Sequence, residues 1–368
     1  MRTKRGVARA VSAALLFLLC FMLAPRITYA ATANSVTLFP VDDTPVVLDA
    51  SQPYLVNNAG AAAGTLGQGG CTAYFHDGTL EIQGLTLTGS GVTTSGIFST
   101  IYASDDLTIR VNGANTVTQK RFAGTGSRPS ARTVFVYRSH LSITGSGSLT
   151  ATVGADYGAP SYVVSALALT VTSGVSLTAS IGAVASDGIF GITTEQLVNS
   201  GRVSATGTAA GIYLNASLTG NGARTSTNTG FLTATGKTGP AVMLASGATV
   251  QIDGGMLEAT GASGMPAVGP SAKGYGALVI GSAITSGRMG TSKGSAAEYT
   301  ARDITDHYNS AGRSYAYLLL SAPTSAPILT SAPIPDTGDG ASPLLWLGLM
   351  LLSIAGIAAT VVLRSREG

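Results

Sequence analysis

The residue types that catalysis and metal binding require are thinly spread along this sequence. The three histidines, His76, His140 and His307, are far apart, and neither a Cys-x-x-Cys nor a His-Glu-x-x-His spacing occurs. Both of those spacings gather several ligand atoms around one zinc ion. The sequence therefore predicts no metal site and no cofactor.

Two pairs of residues are the best candidates for acid–base chemistry. Asp105 is adjacent to Asp106, and Asp77 follows His76. A polysaccharide hydrolase or lyase would need carboxylates of this kind to protonate or deprotonate its substrate. The same residue types are also common in the turns between strands, above all where Gly follows Asp, as Gly78 does here. We interpret both pairs as turn residues and the chain as non-catalytic, with a lyase or hydrolase as the alternative.

One stretch of the sequence is basic and contains no acid. Between Asp106 and Asp156 every charged residue is positive, and aromatic residues lie among them. The basic residues are Arg110, Lys120, Arg121, Arg128, Arg132 and Arg138, and their ring-bearing neighbours are Phe122, Phe135, Tyr137 and His140. Guanidinium groups pair with carboxylates and phosphates, and aromatic rings support sugar rings. Residues 120–132 are expected to form a projecting loop, and its simplest interpretation is a solvated loop whose charges aid solubility. The functional alternative is a site for an anionic glycan formed by these basic residues and Tyr137.

The C-terminus combines a short peptide motif with a membrane span. The motif consists of Ile334, Pro335, Asp336, Thr337 and Gly338. An uncharged apolar run of 21 residues follows at 343–363, and a basic tail closes the chain at 364–368. As a helix the run is about 30 Å long, which matches the hydrocarbon core of a bilayer. The basic tail indicates a cytoplasmic end.

This order of motif, span and basic tail resembles the LPxTG-type sorting signal of sortase-anchored Gram-positive surface proteins. Ile334 stands where that family has leucine. The resemblance implies that a sortase thiolate attacks the carbonyl carbon of Thr337 and that the bond to Gly338 breaks. Thr337 would then be joined to an amine of the peptidoglycan precursor, and the span would be only a transient stop in the membrane. A permanent type I membrane anchor is the alternative.

The first 30 residues are typical of a secretory signal peptide. A basic segment at residues 2–9 precedes an apolar run at residues 11–24, which is too short to span a bilayer. Small residues, Ala30 and Ala31, flank the expected cleavage site. We therefore expect an exported chain whose mature part begins at Ala31.

The basic character of the whole chain comes from these targeting segments. The full sequence has 21 Lys and Arg against 18 Asp and Glu, whereas residues 31–337 have 14 against 16. A mature net charge of −2 gives no general attraction for nucleic acid, so no nucleic-acid partner is predicted. Cys71 is the single cysteine of the mature part, which excludes an internal disulfide framework.

The body of the chain is a repeat. A large apolar residue, then Thr, Ser or Glu, then Ala, then Thr or Ser recurs from Leu149, Leu177, Val203, Leu232 and Leu257, in steps of 28, 26, 29 and 25 residues. Each copy alternates apolar and polar residues with period two, which is typical of a strand. Stacked units of one repeat each explain a regular step of this length.

We predict an all-β fold, a right-handed parallel β-helix, with a C-terminal transmembrane helix. A β-sandwich is the competing fold, although it does not require similar phrases at a nearly constant step. The repeat also resembles surface β-helix proteins of Gram-positive bacteria, some of them described as carbohydrate-binding. The expected order is a signal peptide at 1–30, the β-helix with end caps at 31–320, a Pro/Ser/Thr-rich linker at 321–342, the membrane helix at 343–363 and the tail at 364–368.

Together these features predict a protein attached to the bacterial cell wall through its C-terminus. Its non-catalytic β-helix would serve carbohydrate binding or adhesion, and a structural spacer without a ligand is a further alternative. The expected partners are a sortase, the peptidoglycan precursor, the membrane before sorting, and a polysaccharide. The sequence does not indicate an oligomeric state.

Overall fold

The computed structural model describes most of the predicted exported body. The described residues are 31–41, 44–56, 60–61, 66, 70–93, 96–120, 129–154, 160–182, 188–215, 224–270, 276–310 and 315–322. Ala30, the motif at 334–338 and the apolar run at 343–363 lie outside them. The chain divides into two compact units, Met1–Pro323 and Thr324–Gly368. Within the described residues, no helix has the length and apolarity that crossing a membrane requires.

The N-terminal region forms short strands that precede the regular repeat. They are β1 (Ser35–Val41), β2 (Thr44–Asp49), β3 (Tyr54–Val56), β4 (Gly60–Ala61), β5 (Cys71–His76), β6 (Thr79–Gln83), β7 (Thr86–Gly89) and β8 (Gly91–Val92). Strands β1 and β2 pair antiparallel with each other.

The repeat forms about six turns of three strands each. The first three turns contain β9 (Phe98–Ala103), β10 (Leu107–Asn112), β11 (Ala114–Gln119), β12 (Ala131–Val136), β13 (His140–Gly145), β14 (Ser148–Val153), β15 (Ser161–Ser165), β16 (Ala168–Val171) and β17 (Ser176–Ile181). The next three contain β18 (Ile189–Thr194), β19 (Gln196–Asn199), β20 (Arg202–Gly207), β21 (Ala210–Leu214), β22 (Thr225–Asn228), β23 (Phe231–Gly236), β24 (Val242–Leu244), β25 (Thr249–Ile252) and β26 (Met256–Thr260).

The C-terminal region adds an incomplete turn and a cap. Its elements are β27 (Val268–Pro270), β28 (Ala277–Ile280), β29 (Ser286–Gly290), β30 (Ala297–Thr300), α1 (Ala301–Asn309) and β31 (Tyr317–Ser321). The helix begins where Thr300 caps it, since its hydroxyl accepts the N–H of Asp303 at 3.2 Å.

The strands form three sheets that run along the stacked turns. Sheet A has the order β2-β1-β9-β12-β15-β18-β21-β24-β27, with β8 on β9. Sheet B has the order β28-β25-β22-β19-β16-β13-β10-β6-β5-β3-β4, and sheet C has β30-β29-β31-β26-β23-β20-β17-β14-β11-β7. From β9 to β25 each strand pairs in parallel with the corresponding strand one turn later, and the last such pair is β25 with β28. The predicted all-β parallel β-helix, of the right-handed type, is confirmed for this region.

The repeated phrase lies in sheet C with its apolar residues facing inward. Leu149 pairs with Leu177, Leu177 with Val203, and Leu232 with Leu257, and all of these side chains are buried. The inward side chains of the three sheets form one hydrophobic cluster that lies entirely within Met1–Pro323. Because a single turn leaves that inner face open, only stacking completes the core. The body therefore contains a complete core of its own.

Buried asparagines and close-packed glycines join sheet B to sheet C. The Nδ2 of Asn199 donates to Oδ1 of Asn228 in the next turn at 2.7 Å, and both side chains are buried. The neighbouring turns approach so closely that a β-carbon at Gly230 would collide with the carbonyl oxygen of Gly201. Small or hydrogen-bonded residues at these corners let the backbone turn without leaving buried polar groups unpaired.

Candidate functional site

The basic residues predicted to bind a glycan lie on different faces of the β-helix. Arg132 lies in β12 of sheet A, whereas Arg110 lies in β10 of sheet B. Arg138 occupies the turn between sheets A and B, with a φ of +54°. Arg121 and Arg128 lie outside the described residues. The structure therefore brings together only part of the predicted cluster.

Arg110 already has a charged partner. Its Nη1 lies 3.4 Å from Oε1 of Glu81, which also lies 3.2 Å from Nε2 of His76. Lys120 follows the last residue of β11 and is exposed. Arg110 has a compensated charge, and Lys120 lies exposed at the end of a strand, so neither gives as strong a reason for an anion site as the surroundings of Arg132.

Arg132 is stacked between two aromatic rings. Its guanidinium carbon lies 4.2 Å from the ring centroid of Phe135 and 5.2 Å from that of Tyr162. The contact with Tyr162 follows from the fold, because Arg132 and Tyr162 are paired positions in adjacent parallel strands. Stacking on faces of rings holds the guanidinium plane in place while its in-plane N–H groups stay available as donors.

The stack continues across two more turns. Tyr162 lies on Phe190 with ring centroids 5.5 Å apart, and Phe190 lies on Tyr213 with centroids 5.1 Å apart. All three rings are half-buried on the surface of sheet A. We call Arg132, Tyr162, Phe190 and Tyr213 the aromatic ladder. Its rings cover one another's faces, so the ladder presents ring edges and two phenolic hydroxyls along the sheet.

A second group of rings supports Arg132 from the other side. Phe135 is buried, yet it lies outside the hydrophobic cluster that fills the β-helix. Its ring contacts Tyr102 at 5.5 Å and Tyr137 at 5.8 Å between centroids. Arg138 lies over Tyr137 with its guanidinium carbon 5.2 Å from the ring centroid. The predicted residues Arg132, Tyr137 and Arg138 thus share one aromatic neighbourhood.

The charge of Arg132 has no compensating carboxylate among the described residues. Its Nε is buried and makes no hydrogen bond there. Burial lowers the pKa of this guanidinium from its ordinary value, while the phenols of Tyr162 and Tyr137 act in the opposite direction. Burial likewise raises the pKa of Tyr162, so its phenol stays neutral and remains a donor. An arginine keeps its proton at neutral pH, so this site carries a positive charge that no carboxylate of the described residues balances.

The acidic pairs considered for catalysis lie at turns. Asp77 lies between β5 and β6 with a φ of +44°. Asp106 precedes β10, and its Oδ1 accepts the backbone N–H of His140 at 2.8 Å. Within the described ranges no group of three or more His, Cys, Asp and Glu side chains is placed to hold a metal ion.

Sequence reasoning missed the outer rungs of the ladder. Tyr162, Phe190 and Tyr213 lie beyond the acid-free stretch, at steps of 28 and 23 residues. Aligning the strands of sheet A turn by turn would have placed Tyr162 beside Arg132 and Phe190 beside Tyr162. The sequence did not reveal this alignment, because the repeated phrase defines the register of sheet C, whereas the aromatic ladder lies on sheet A.

No known protein family, curated protein or solved structure matches this chain.

Proposed function

We propose that this chain is a bacterial surface protein, anchored to peptidoglycan through Thr337, whose β-helix binds an anionic glycan at Arg132. The observation that carries the binding proposal is the state of that arginine. It is stacked between Phe135 and Tyr162, and no carboxylate within the described residues neutralises it. The anchoring proposal rests on the C-terminal motif, the apolar run and the basic tail.

The chemistry of the site favours a carboxylate or a phosphate on a sugar polymer. A stacked guanidinium can donate two parallel N–H groups to such an anion, which gives both strength and orientation. The phenolic hydroxyls of Tyr162 and Tyr213 lie along the same ladder and can bind sugar hydroxyls. A polymer running across the turns of the β-helix would meet one cationic group, the guanidinium of Arg132, and several neutral hydroxyls.

Arg138 contributes a second positive charge beside Arg132. It is exposed and its guanidinium lies over the ring of Tyr137, which contacts Phe135. Exposure leaves this charge screened by solvent and salt, so it steers an anion toward the site more than it fixes it. Arg110 is expected to contribute little, because Glu81 balances its charge.

Retention on immobilised polysaccharides tests the binding proposal. The body at residues 31–322 carries its own core, and it would be passed over polygalacturonate, a glycerol-phosphate polymer and neutral dextran. Arg132→Ser is expected to abolish retention on at least one of the polyanions. Arg202→Ser is the matched control, since Arg202 is also stacked on a ring, that of Phe231 at 4.5 Å, but on sheet C.

Three results decide between the proposal and its alternatives. Loss of retention in Arg132→Ser but not in Arg202→Ser supports the site. Equal retention of a folded Arg132→Ser variant rejects it, and so does failure of the unmodified body to bind either polyanion. The triple variant with Arg121, Arg128 and Arg132 changed to Ser measures whether the residues outside the described ranges add to the site.

A further inference from the structure

The outer face of sheet C carries a two-dimensional lattice of hydroxyl groups. Six consecutive strands, from β7 to β23 in sheet order, each present two outward Thr or Ser residues separated by one inward residue. The pairs are Thr86 and Thr88, Thr116 and Thr118, Thr150 and Thr152, Thr178 and Ser180, Ser204 and Thr206, and Thr233 and Thr235.

The register holds this lattice in line across the turns. Thr116 pairs with Thr86 and Thr150, and Thr178 pairs with Thr150 and Ser204. No register shift interrupts the pairing of these strands in sheet C. Neighbouring strands are about 4.8 Å apart, and two residues along a strand span about 6.6 Å. The hydroxyls therefore repeat at two fixed distances, one across the strands and one along them.

The lattice is open to solvent and free of charge. Its twelve side chains are exposed or half-buried, while the residues between them, such as Ala151, Ala179 and Ala205, are buried. Thr152 and Ser180 share a hydrogen bond of 3.0 Å across the turns. In the described part of the chain, the hydroxyls of Thr116 and Thr178 bond to no protein atom. Four charged residues, Lys120, Arg202, Lys237 and Glu258, border the lattice rather than belong to it.

A regular, uncharged array of hydroxyl groups is better suited to binding ordered water than to binding a folded protein. Threonine is β-branched, so its methyl and hydroxyl groups occupy defined positions before any ligand binds. Open hydroxyls hold first-shell water by hydrogen bonds. Hydroxyls such as those of Thr116 and Thr178 would place that water at regular intervals in two directions. The prism faces of hexagonal ice repeat their oxygens at distances of the same size. The uncharged, regular face of the protein also matches the surface of an ice crystal, which carries no net charge.

We propose that the outer face of sheet C binds the surface of ice. Water ordered over the threonines would continue into the crystal lattice, and the bound protein would stop growth of the face that it covers. This activity is independent of glycan binding, because the aromatic ladder lies on sheet A and the hydroxyl lattice on sheet C.

Two assays on the body at residues 31–322 test the proposal. A fluorescent fusion is expected to coat a growing single ice crystal, and the body is expected to inhibit recrystallisation of ice. Thr178→Tyr and Thr206→Tyr place a bulky ring in the middle of the lattice, on separate strands, and each should lose both effects. Thr170→Tyr is the matched control, because Thr170 is half-buried in sheet B in the same turn as Thr178.

The outcomes separate this proposal from its competitors. Adsorption by the unmodified body and by Thr170→Tyr, with loss in either lattice variant that keeps its β-sheet circular dichroism, supports an ice-binding face. A body that does not adsorb to ice rejects the proposal, as does adsorption that survives both folded lattice variants. A face that instead joins two copies would give a dimer that Thr178→Tyr dissociates, with no adsorption to ice, and this result also rejects it. Arg132→Ser should adsorb normally whether or not the glycan proposal holds.

Discussion

The side chain of Asn309 replaces a missing strand beside Leu278. Its Oδ1 accepts the backbone N–H of Leu278 at 3.0 Å, and its Nδ2 donates to the carbonyl oxygen of the same residue at 2.9 Å. Leu278 lies in β28, the last strand of sheet B at this end. One amide at the end of α1 thus pairs with backbone groups that would otherwise invite another strand to bind.

Asn309→Ala is expected to destabilise the C-terminal cap. Removing the amide leaves a donor and an acceptor of Leu278 without their partner, which costs about 1–3 kcal/mol in the free energy of unfolding. Urea unfolding of the body measures this loss, and light scattering measures the self-association that an open edge promotes. Arg302→Ala in the same helix is the control, since its exposed ion pair with Asp306, at 3.7 Å, is worth at most about 1 kcal/mol. Equal stability of the two variants would contradict the role given to Asn309.

The architecture was predictable because the fold repeats. Leu177 and Val203 follow similar phrases one turn apart, and the structure pairs them directly. The number of residues in one turn equals the spacing of the repeated phrase, so it can be determined from the sequence without knowing which residues are in contact.

The caps and the site depended on contacts that no repeat encodes. The antiparallel pairing of β31 with β26 and β29 joins segments that share no phrase. Arg110 and Arg132 are 22 positions apart in one basic stretch, yet they lie in different sheets, so sequence proximity wrongly grouped their charges. Glu81, which neutralises Arg110, is 29 residues away along the chain and came close only through the pairing of β6 with β10.

Glu258 makes the stability of the C-terminal cap depend on pH. The hydrogen bond from Lys293, at 2.7 Å, holds the pKa of the Glu258 carboxyl below its ordinary value, and Tyr317 donates to the same oxygen at 3.2 Å. A lowered pKa in the folded state gives stability that is present above the unfolded pKa of about 4.3 and is lost as the pH falls through the folded value.

Glu258→Gln is therefore expected to reduce this dependence in the acid range. Urea unfolding at a series of pH values between neutral and strongly acidic would show a smaller loss of stability for the variant than for the unmodified body. Lys293→Met removes the partner from the other side and should flatten the same part of the curve. If both variants lose stability with acid as steeply as the unmodified body, the pair does not carry the effect.

Arg132→Lys separates charge from geometry at the proposed glycan site. Lysine keeps the positive charge but cannot offer two parallel donors or lie flat between Phe135 and Tyr162. The affinity for a retained polyanion is expected to fall about tenfold, since one charge-assisted hydrogen bond is worth about 1.5 kcal/mol or more. Binding of the unmodified body should also weaken as NaCl is raised, because added ions screen the exposed Arg138.

Titration by calorimetry at two salt concentrations measures both effects. Arg138→Lys is the control, because that side chain is exposed and acts mainly through its charge. Equal affinities for Arg132→Lys and the unmodified body would show that only charge matters at this position, which contradicts a stacked bidentate contact.

If the apolar run at residues 343–363 enters the membrane, as we propose, the fate of Thr337 decides whether it is a transient stop or a permanent anchor. In the sorting mechanism the bond from Thr337 to Gly338 breaks, so the full chain in a sortase-bearing host would be released from the wall only by a muramidase, with Thr337 linked to peptidoglycan. Thr337→Ala removes the residue to which the peptidoglycan amine is joined. It is expected to leave the chain in the detergent-soluble membrane fraction with residues 343–363 still attached, as mass spectrometry of its C-terminal peptide would show. Thr330→Ala, in the linker before the motif, is the matched control and should reach the wall normally. Surface attachment that persists in a host without sortase, or membrane retention of the unmodified chain, would instead identify a plain membrane anchor. The same apolar run serves both fates, and only cleavage after Thr337 distinguishes them.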